Sequence, residues 1–216
     1  MKKVFLALAM LCMTVFASAQ GSFDIQVSPQ NMKFFAEFFH AGENYNAYSY
    51  NEVQSHTWNM LDSIGGNPSN IQSLNYIEYR LFDNFYIHPE VRFNTAFTNS
   101  YYIGIAYRIP IKAMDIYIVP MYRRNGDKGG TNEFQLSINT SADWEHFYYQ
   151  GYIDMYTNQK HWGCKDNVVA FTEQRFYWKA YNGLQLGVNI TATTDPEFMP
   201  KAEWYINPYL AVRYAF

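Results

Sequence analysis

The chain ends in the stretch Asn207-Pro208-Tyr209-Leu210-Ala211-Val212-Arg213-Tyr214-Ala215-Phe216. Successive side chains of an extended strand point to opposite faces, so this stretch divides into two sets. One face carries Leu210, Val212, Tyr214 and Phe216, and the other carries Tyr209, Ala211, Arg213 and Ala215. An α-helix would scatter both sets around its circumference. The stretch therefore predicts a terminal β-strand with one apolar, aromatic face.

A carboxy-terminal Phe after alternating apolar residues resembles the signal by which the outer-membrane assembly machinery recognises β-barrels. On that resemblance, Tyr214 and Phe216 are the assembly-signal residues. The competing interpretation is an ordinary terminal strand that ends in Phe. The other end of the chain favours the barrel, because it carries the mark of an exported protein.

Residues 1–19 have the three parts of a secretory signal. Lys2 and Lys3 form a basic start, an apolar run follows from Val4 to Phe16, and Ala17-Ser18-Ala19 is a small-residue cleavage site. The run is short for a membrane helix, which needs about 20 residues. Cys12 follows Leu11, where a lipoprotein signal needs a small residue. We expect Sec-type export, cleavage after Ala19, and one mature domain over residues 20–216.

The charge and cysteine content exclude several classes of function. Without Lys2 and Lys3, 14 basic side chains face 19 acidic ones, a net charge of −5. That balance argues against a nucleic-acid partner, which would require a basic face. Cys164 is the one cysteine left after the signal. With only His161 nearby, it predicts neither a disulfide nor a metal site.

Aromatic residues make up 19% of the chain, yet outside the signal no apolar run approaches the length of a membrane helix. This combination is typical of strands with one lipid-facing side and one polar side. Alternation at period two predicts strands at Asn75–Leu81, Phe85–Asn94, Tyr101–Ile109, Asp115–Arg123, Glu133–Thr140, Phe147–Tyr156, Val168–Lys179, Leu184–Thr191 and Ala202–Phe216. The alternation is irregular in Asp115–Arg123 and Val168–Lys179. The aromatic stretches Phe34–Phe39 and Tyr45–Tyr50 indicate two or three further strands upstream.

Turn signals separate these runs, with an Asn-Gly hairpin signal at Asn182-Gly183 and a short turn at Phe82-Asp83-Asn84. The connections alternate between short and long, as in membrane barrels. We predict an all-β fold, a transmembrane antiparallel up-and-down β-barrel of about 12 strands, with 10 as the alternative because strand numbers are even. Pro89, Pro120 and Pro208 lie inside predicted strands, where each removes a ladder donor. We expect them at bulges or strand ends.

The last third of the chain resembles an uncharacterised family of Gram-negative outer-membrane proteins, which is distantly similar to nucleoside-specific channel-forming proteins with 12-stranded barrels. The stretches NVVAFTEQRFYWKAYNGLQLGVNITATT and WYINPYLAVRYAF carry the resemblance. The matching positions are Thr172, Glu173, Arg175, Phe176, Trp178, Gly187, Asn207, Pro208, Leu210, Arg213 and Phe216. The resemblance implies a barrel and a small-solute channel, and it supplies no substrate.

In a barrel, the polar face of each strand points into the lumen. A lipid-facing Arg at the bilayer midplane would cost about 2–4 kcal/mol, so the charged residues are expected inside. The candidate lumen-lining or solute-binding residues are Glu78, Arg80, His88, Glu90, Arg92, Arg108, Gln150, Tyr152, Asp154, Glu173, Arg175 and Arg213. The Glu-x-Arg spacing, which places both side chains on one face, occurs at Glu78/Arg80, Glu90/Arg92 and Glu173/Arg175.

These residues are compatible with two functions: a channel for small polar or anionic solutes, or a plugged structural barrel filled by paired charges. An enzyme is disfavoured because the sequence has neither G-x-S-x-G nor H-E-x-x-H. A soluble periplasmic barrel or sandwich would need the apolar faces to form a core. We expect no catalytic residue, metal or cofactor. The expected partners are outer-membrane lipid, the assembly machinery and a small polar solute, with the chain a monomer.

Overall fold

A computed structural model describes residues 20–28, 32–55, 70–94, 99–126, 132–157, 168–194 and 205–216. These residues form a closed antiparallel barrel of twelve strands, in which each strand pairs with its neighbours in the sequence and the first pairs with the last. The strands are β1 (Gln20–Val27), β2 (Met32–Ala41), β3 (Tyr45–Ser55), β4 (Asn70–Phe82), β5 (Phe85–Asn94), β6 (Ser100–Ile109), β7 (Asp115–Asn125), β8 (Asn132–Asp143), β9 (Phe147–Thr157), β10 (Val168–Tyr181), β11 (Leu184–Thr193) and β12 (Tyr205–Ala215).

The predicted fold class and the strand number of 12 are confirmed. The predicted bounds of β5 match the structure, and β4 begins five residues earlier than predicted, at Asn70. Three strands precede residue 70, which is the upper end of the expected range. The predicted signal, the Cys164 region and most of the loop between β7 and β8 lie outside the described residues. Within the described part of the chain, no helix is long and apolar enough to cross a membrane.

Tight turns join alternate strand pairs at one end of the barrel, which we call the turn end. The connection between β10 and β11 is Asn182-Gly183, with φ of 44° and 82°. Two consecutive residues with positive φ fit the type I′ turn that the Asn-Gly signal predicts. The connections at the turn end span two to five residues, and those at the other end span four to 14. The predicted alternation of short and long connections is therefore confirmed.

The three prolines are accommodated in a way that differs partly from the expectation. Pro89 of β5 has no paired residue on β4 but pairs with β6. Pro120 of β7 has no paired residue on β6 but pairs with β8. Pro208 lies beyond Val27↔Leu210, where the pairing of β1 with β12 ends. Pro89 and Pro120 thus sit in local gaps of the ladder, because a missing N–H leaves nothing to donate. The two register shifts of the barrel lie elsewhere, near Arg80 and Lys179.

The barrel closes between β1 and β12, and Phe216 completes this seam. Its backbone exchanges two hydrogen bonds with Gly21, of 3.0 and 2.9 Å. Its ring contacts Phe23, with centroids 5.4 Å apart, and also Phe38. A Cβ on Gly21 would lie 2.7 Å from the Phe216 ring, so a larger residue there would displace the ring. The terminal aromatic residue therefore contributes both backbone pairing and packing at closure.

The outer face is predominantly apolar, with Leu, Ile, Val, Phe and Tyr side chains exposed on most strands. One interruption is a ring of hydrogen bonds in the middle of β3 and β4. Asn51 donates to Ser49, Ser49 to Asn75, Asn75 to Ser73, and Ser73 to Asn51, at 2.8–3.1 Å. The ring gives each of these polar groups a partner on a face that would otherwise leave it in hydrocarbon.

Candidate functional site in the barrel lumen

The inner face of the barrel is built from charged and polar side chains, because every second residue of each strand points inward. Most of these side chains are buried even though they face a lumen. The largest fully buried ones include Tyr177, Phe35, Gln26, Glu52 and Glu173. A small apolar group, Tyr102, Ala106, Val119 and Met121, fills the interior beside β6 and β7. The lumen is therefore packed by side chains over much of its cross-section.

One buried ion cluster is centred on Arg175 of β10. Its Nη1 lies 2.7 Å from Glu37 Oε1 on β2, across three intervening strands, and its Nε donates to Glu173. Lys33 of β2 lies 3.9 Å from Glu52 and 4.0 Å from Glu173. The Arg175 guanidinium also stacks 4.2 Å from the Phe35 ring centroid. These residues, Lys33, Glu37, Glu52, Glu173 and Arg175, are called here the Arg175 cluster.

A second set of contacts extends this packing to β1 and β11. The Tyr177 hydroxyl of β10 donates to Asp24 of β1, and Gln26 Nε2 lies 3.4 Å from the same hydroxyl. Asn189 of β11 donates to Gln26. Tyr177, Asp24, Gln26 and Asn189 are all almost fully buried. Together with the Arg175 cluster they form what we call the packed wall, whose members lie on β10, β11, β1, β2 and β3.

A second ion cluster is centred on Arg92 of β5. Arg92 Nε donates to Glu90, and Nη1 lies 3.1 Å from Asp154 Oδ2 and 3.2 Å from the Tyr156 hydroxyl on β9. His88 bridges Glu78 at 2.9 Å and Glu90 at 3.2 Å. We call Glu78, His88, Glu90, Arg92 and Asp154 the Arg92 cluster. The Arg92 side chain thus reaches from β5 across the lumen to β9, just as the Arg175 side chain reaches from β10 to β2.

Some side chains that point inward are only partly buried. Inward side chains that stay only half-buried are concentrated on β3–β5 and β9. We call the following set the accessible strip: Tyr48, Tyr76, Arg92, Tyr148, Gln150, Tyr152 and Tyr156. The Tyr48 and Tyr76 rings stack 5.1 Å apart, and Gln150 donates to Glu37 at 3.5 Å. Four members lie on β9 alone, so the strip follows most of that strand.

Two of the predicted lumen residues lie at the turn end and do not belong to either cluster. Arg80 is exposed, and its Nε donates to the Asp83 carbonyl at 3.0 Å. Arg108 pairs with Asp115 across the β6–β7 turn, and both side chains are more than two-fifths exposed. Both arginines occupy positions whose side chains point inward. They lie so near the ends of their strands that they do not reach the packed interior.

The other predicted residues are placed on the inner face. Glu78, His88, Glu90, Arg92 and Asp154 meet in one cluster, and Glu173 and Arg175 in the other. Gln150 and Tyr152 line the accessible strip. Arg213 of β12 donates to Gln185 at 3.1 Å and stacks 4.1 Å from the Tyr148 ring centroid.

Sequence reasoning missed most of the packed wall. Asp24, Gln26, Lys33, Glu37 and Glu52 all lie before residue 70, where no strand phase was assigned. A usable signal was present in β1, where Ser22, Asp24 and Gln26 alternate with Phe23, Ile25 and Val27. The Arg123–Glu133 pair, 3.3 Å apart between β7 and β8, was also missed. Among the described residues, no group of three or more His, Cys, Asp or Glu side chains could hold a metal ion.

Comparisons with known proteins support the fold. No protein-family model matches the chain, and no curated protein matches its sequence. Solved structures do match, including the NanC porin, with a TM-score of 0.59 and 9% identity over 91% of this chain and 98% of that one. The KdgM porin in complex with disordered oligogalacturonate has a TM-score of 0.54 and 10% identity over 91% and 99%. The fold is therefore that of a porin-like β-barrel, as the sequence resemblance implied.

Proposed function

We propose that the mature chain is an outer-membrane channel that passes small polar solutes along the accessible strip. The observation that carries this proposal is the strip itself. Four of its members follow β9, and Tyr48, Tyr76 and Arg92 lie on β3, β4 and β5, in an interior that is otherwise packed. A water-accessible line of hydroxyl, amide and guanidinium groups offers hydrogen bonds to a polar solute in place of its hydration shell.

The same geometry argues for a narrow passage. Arg92 reaches across to Asp154 and Tyr156, and Gln150 reaches Glu37, so side chains cross the lumen at two levels. A wide diffusion pore would leave such groups exposed on its wall. We expect small solutes, of nucleoside or monosaccharide size, to pass, and larger oligomers to be excluded.

A plugged structural barrel is the second candidate, and a specific observation favours it. The Arg175 cluster and the Asp24–Tyr177 contact join strands that are not neighbours, and they are almost completely buried. If similar contacts persist along the strip in the membrane, no solute passes. The two candidates therefore differ only in what happens along the accessible strip.

Conductance and uptake separate these candidates. Purified protein in planar bilayers should give small single-channel currents, and liposomes containing it should swell in nucleosides and monosaccharides but not in longer oligosaccharides. Variant Arg92→Ala should raise both signals, because it removes the side chain that crosses the strip. Absence of current and of swelling in both proteins would contradict the channel and support the plugged barrel.

Outer-membrane location and assembly are a proposal of their own, supported by the signal-like residues 1–19, the apolar outer face and the Phe216 seam. Variant Phe216→Ala should lower the amount of folded barrel in the outer-membrane fraction, because it removes the seam packing and the terminal aromatic residue. The exposed, non-terminal Phe134 offers a matched control as Phe134→Ala. Equal levels for both variants, or wild-type protein in a soluble periplasmic extract, would contradict this proposal.

A further inference from the structure

The inner face carries more acid than base. Its buried carboxylates, within the described ranges, are Asp24, Glu37, Glu52, Glu78, Glu90, Glu133, Asp154 and Glu173. The lysine and arginine side chains on the same face are Lys33, Arg92, Arg123, Arg175 and Arg213. At the turn end, Arg108–Asp115 and Lys179–Asp143 are balanced pairs, and Arg80 is exposed. The described interior thus has eight carboxylates and five lysine or arginine side chains. A protonated His88 would offset only one of the three excess carboxylates.

The surplus follows from how the carboxylates are held. Arg175 is shared by Glu37 and Glu173, and Arg92 is shared by Glu90 and Asp154. Lys33 is likewise shared by Glu52 and Glu173. The two cations of the Arg175 cluster therefore balance only two of its three carboxylates, and Arg92 balances only one of its two.

Neutral donors complete the contacts of several carboxylates. Tyr177 donates to Asp24, and Tyr50 donates to Glu52. Asn46 donates to Glu78. Hydroxyl and amide groups thus supply hydrogen bonds to these carboxylates without adding positive charge to the lumen.

We propose that the passage prefers cations over anions, and that its solutes are small neutral or cationic polar molecules. This inference rests on the proposed channel function. Fixed carboxylates in a narrow, low-dielectric channel attract cations and repel anions. The solute class differs from the sequence-based expectation of polar or anionic solutes, which rested on Arg and Tyr groups along the lumen.

Asp154 offers the most direct test, because it lies beside Arg92 at the accessible strip. In a planar bilayer with unequal KCl concentrations, the reversal potential should show K⁺ to be several-fold more permeant than Cl⁻. Variant Asp154→Asn keeps the side-chain shape and should reduce that ratio. Glu78→Gln, in the same cluster, is a second variant should the first not fold.

Glu145→Gln is the matched control, since this carboxylate is exposed in the β8–β9 turn and should leave the ratio unchanged. A current that favours Cl⁻, or a ratio unchanged in both lumen variants, would overturn the charge assignment while leaving the channel intact. A bilayer without any current would contradict the channel function itself, so the two failures are distinguishable.

Discussion

Arg92 and Arg175 have the same local sequence context and different surroundings. Each follows a Glu two residues earlier, each bridges two carboxylates, and each lies over an aromatic ring, Tyr102 for Arg92 and Phe35 for Arg175. The Arg92 side chain is 23% exposed, whereas the Arg175 side chain is 4% exposed. The same Glu-x-Arg motif is therefore buried in the packed wall at Arg175 and partly exposed on the accessible strip at Arg92.

The difference arises from what lies across the lumen. Arg175 on β10 faces β2 and β3, which bring Phe35, Tyr50 and Glu37 against it. Arg92 on β5 faces β9, whose Tyr152 and Tyr156 stay half-buried. The comparison supports the proposal that the packed wall stabilises the barrel and that solutes pass along the accessible strip. Each prediction below compares a change on one side with its counterpart on the other.

The largest effect is expected for Arg175→Met. Removing one partner of a buried ion cluster leaves Glu37 and Glu173 uncompensated, which costs about 3–5 kcal/mol. Urea unfolding in lipid vesicles, followed by tryptophan fluorescence, measures this loss. Adding Glu37→Gln and Glu173→Gln to the variant should recover part of the stability. An Arg175→Met barrel as stable as wild type would show that the packed wall is not a stabilising structure.

A smaller loss of stability, of about 1–3 kcal/mol, is expected for Arg92→Met. The Arg92 side chain is 23% exposed, so water can enter the space that it leaves beside the two carboxylates. The same substitution should change the single-channel current, which Arg175→Met is not expected to do in those molecules that fold. Unfolding and conductance measured on both variants test the contrast. The predicted difference between the two arginines would be wrong if Arg92→Met destabilised the barrel as much as Arg175→Met.

The smallest effects are expected from removing a single tyrosine hydroxyl, once in the packed wall and once on the accessible strip. Tyr177→Phe removes the donor to buried Asp24 and should cost about 1–3 kcal/mol, because the carboxylate loses its partner. Tyr152→Phe should change stability by less than about 0.5 kcal/mol, since the side chain is only half-buried and removing its hydroxyl leaves no buried carboxylate without a donor. Urea midpoints of the two single variants give the comparison, and equal shifts would remove the distinction between wall and strip.

The sequence was sufficient for the fold because lipid imposes a strict alternation on the outer face. Leu184–Ile190 and Leu210–Phe216 show it without interruption, and both lie in strands with the predicted phase. The alternation fails in β2, where Phe34, Phe35, Phe38 and Phe39 occupy both faces. Phe35 is fully buried inside the barrel beneath Arg175, so an aromatic residue there does not indicate lipid.

The site was only partly predictable, because a strand pattern gives the face of a residue but not its depth or its opposite neighbour. Arg80 and Arg92 share the inward phase, yet Arg80 ends up exposed beside the Asp83 turn. Likewise, nothing in Glu173-x-Arg175 indicates that Glu37, from a strand more than 130 residues earlier, will complete the cluster. Such contacts depend on barrel size and register, which only the closed structure fixes.

Substituted-cysteine accessibility tests the division of the lumen most directly. Variant Cys164→Ser removes the one cysteine of the predicted mature chain, and Gln150→Cys and Gln26→Cys then place a thiol on the accessible strip or in the packed wall. With folding verified by gel mobility, a small water-soluble methanethiosulfonate reagent should modify Gln150→Cys rapidly and leave Gln26→Cys unmodified. Equal protection of both thiols would contradict a water-accessible passage, and equal modification would contradict the packed wall.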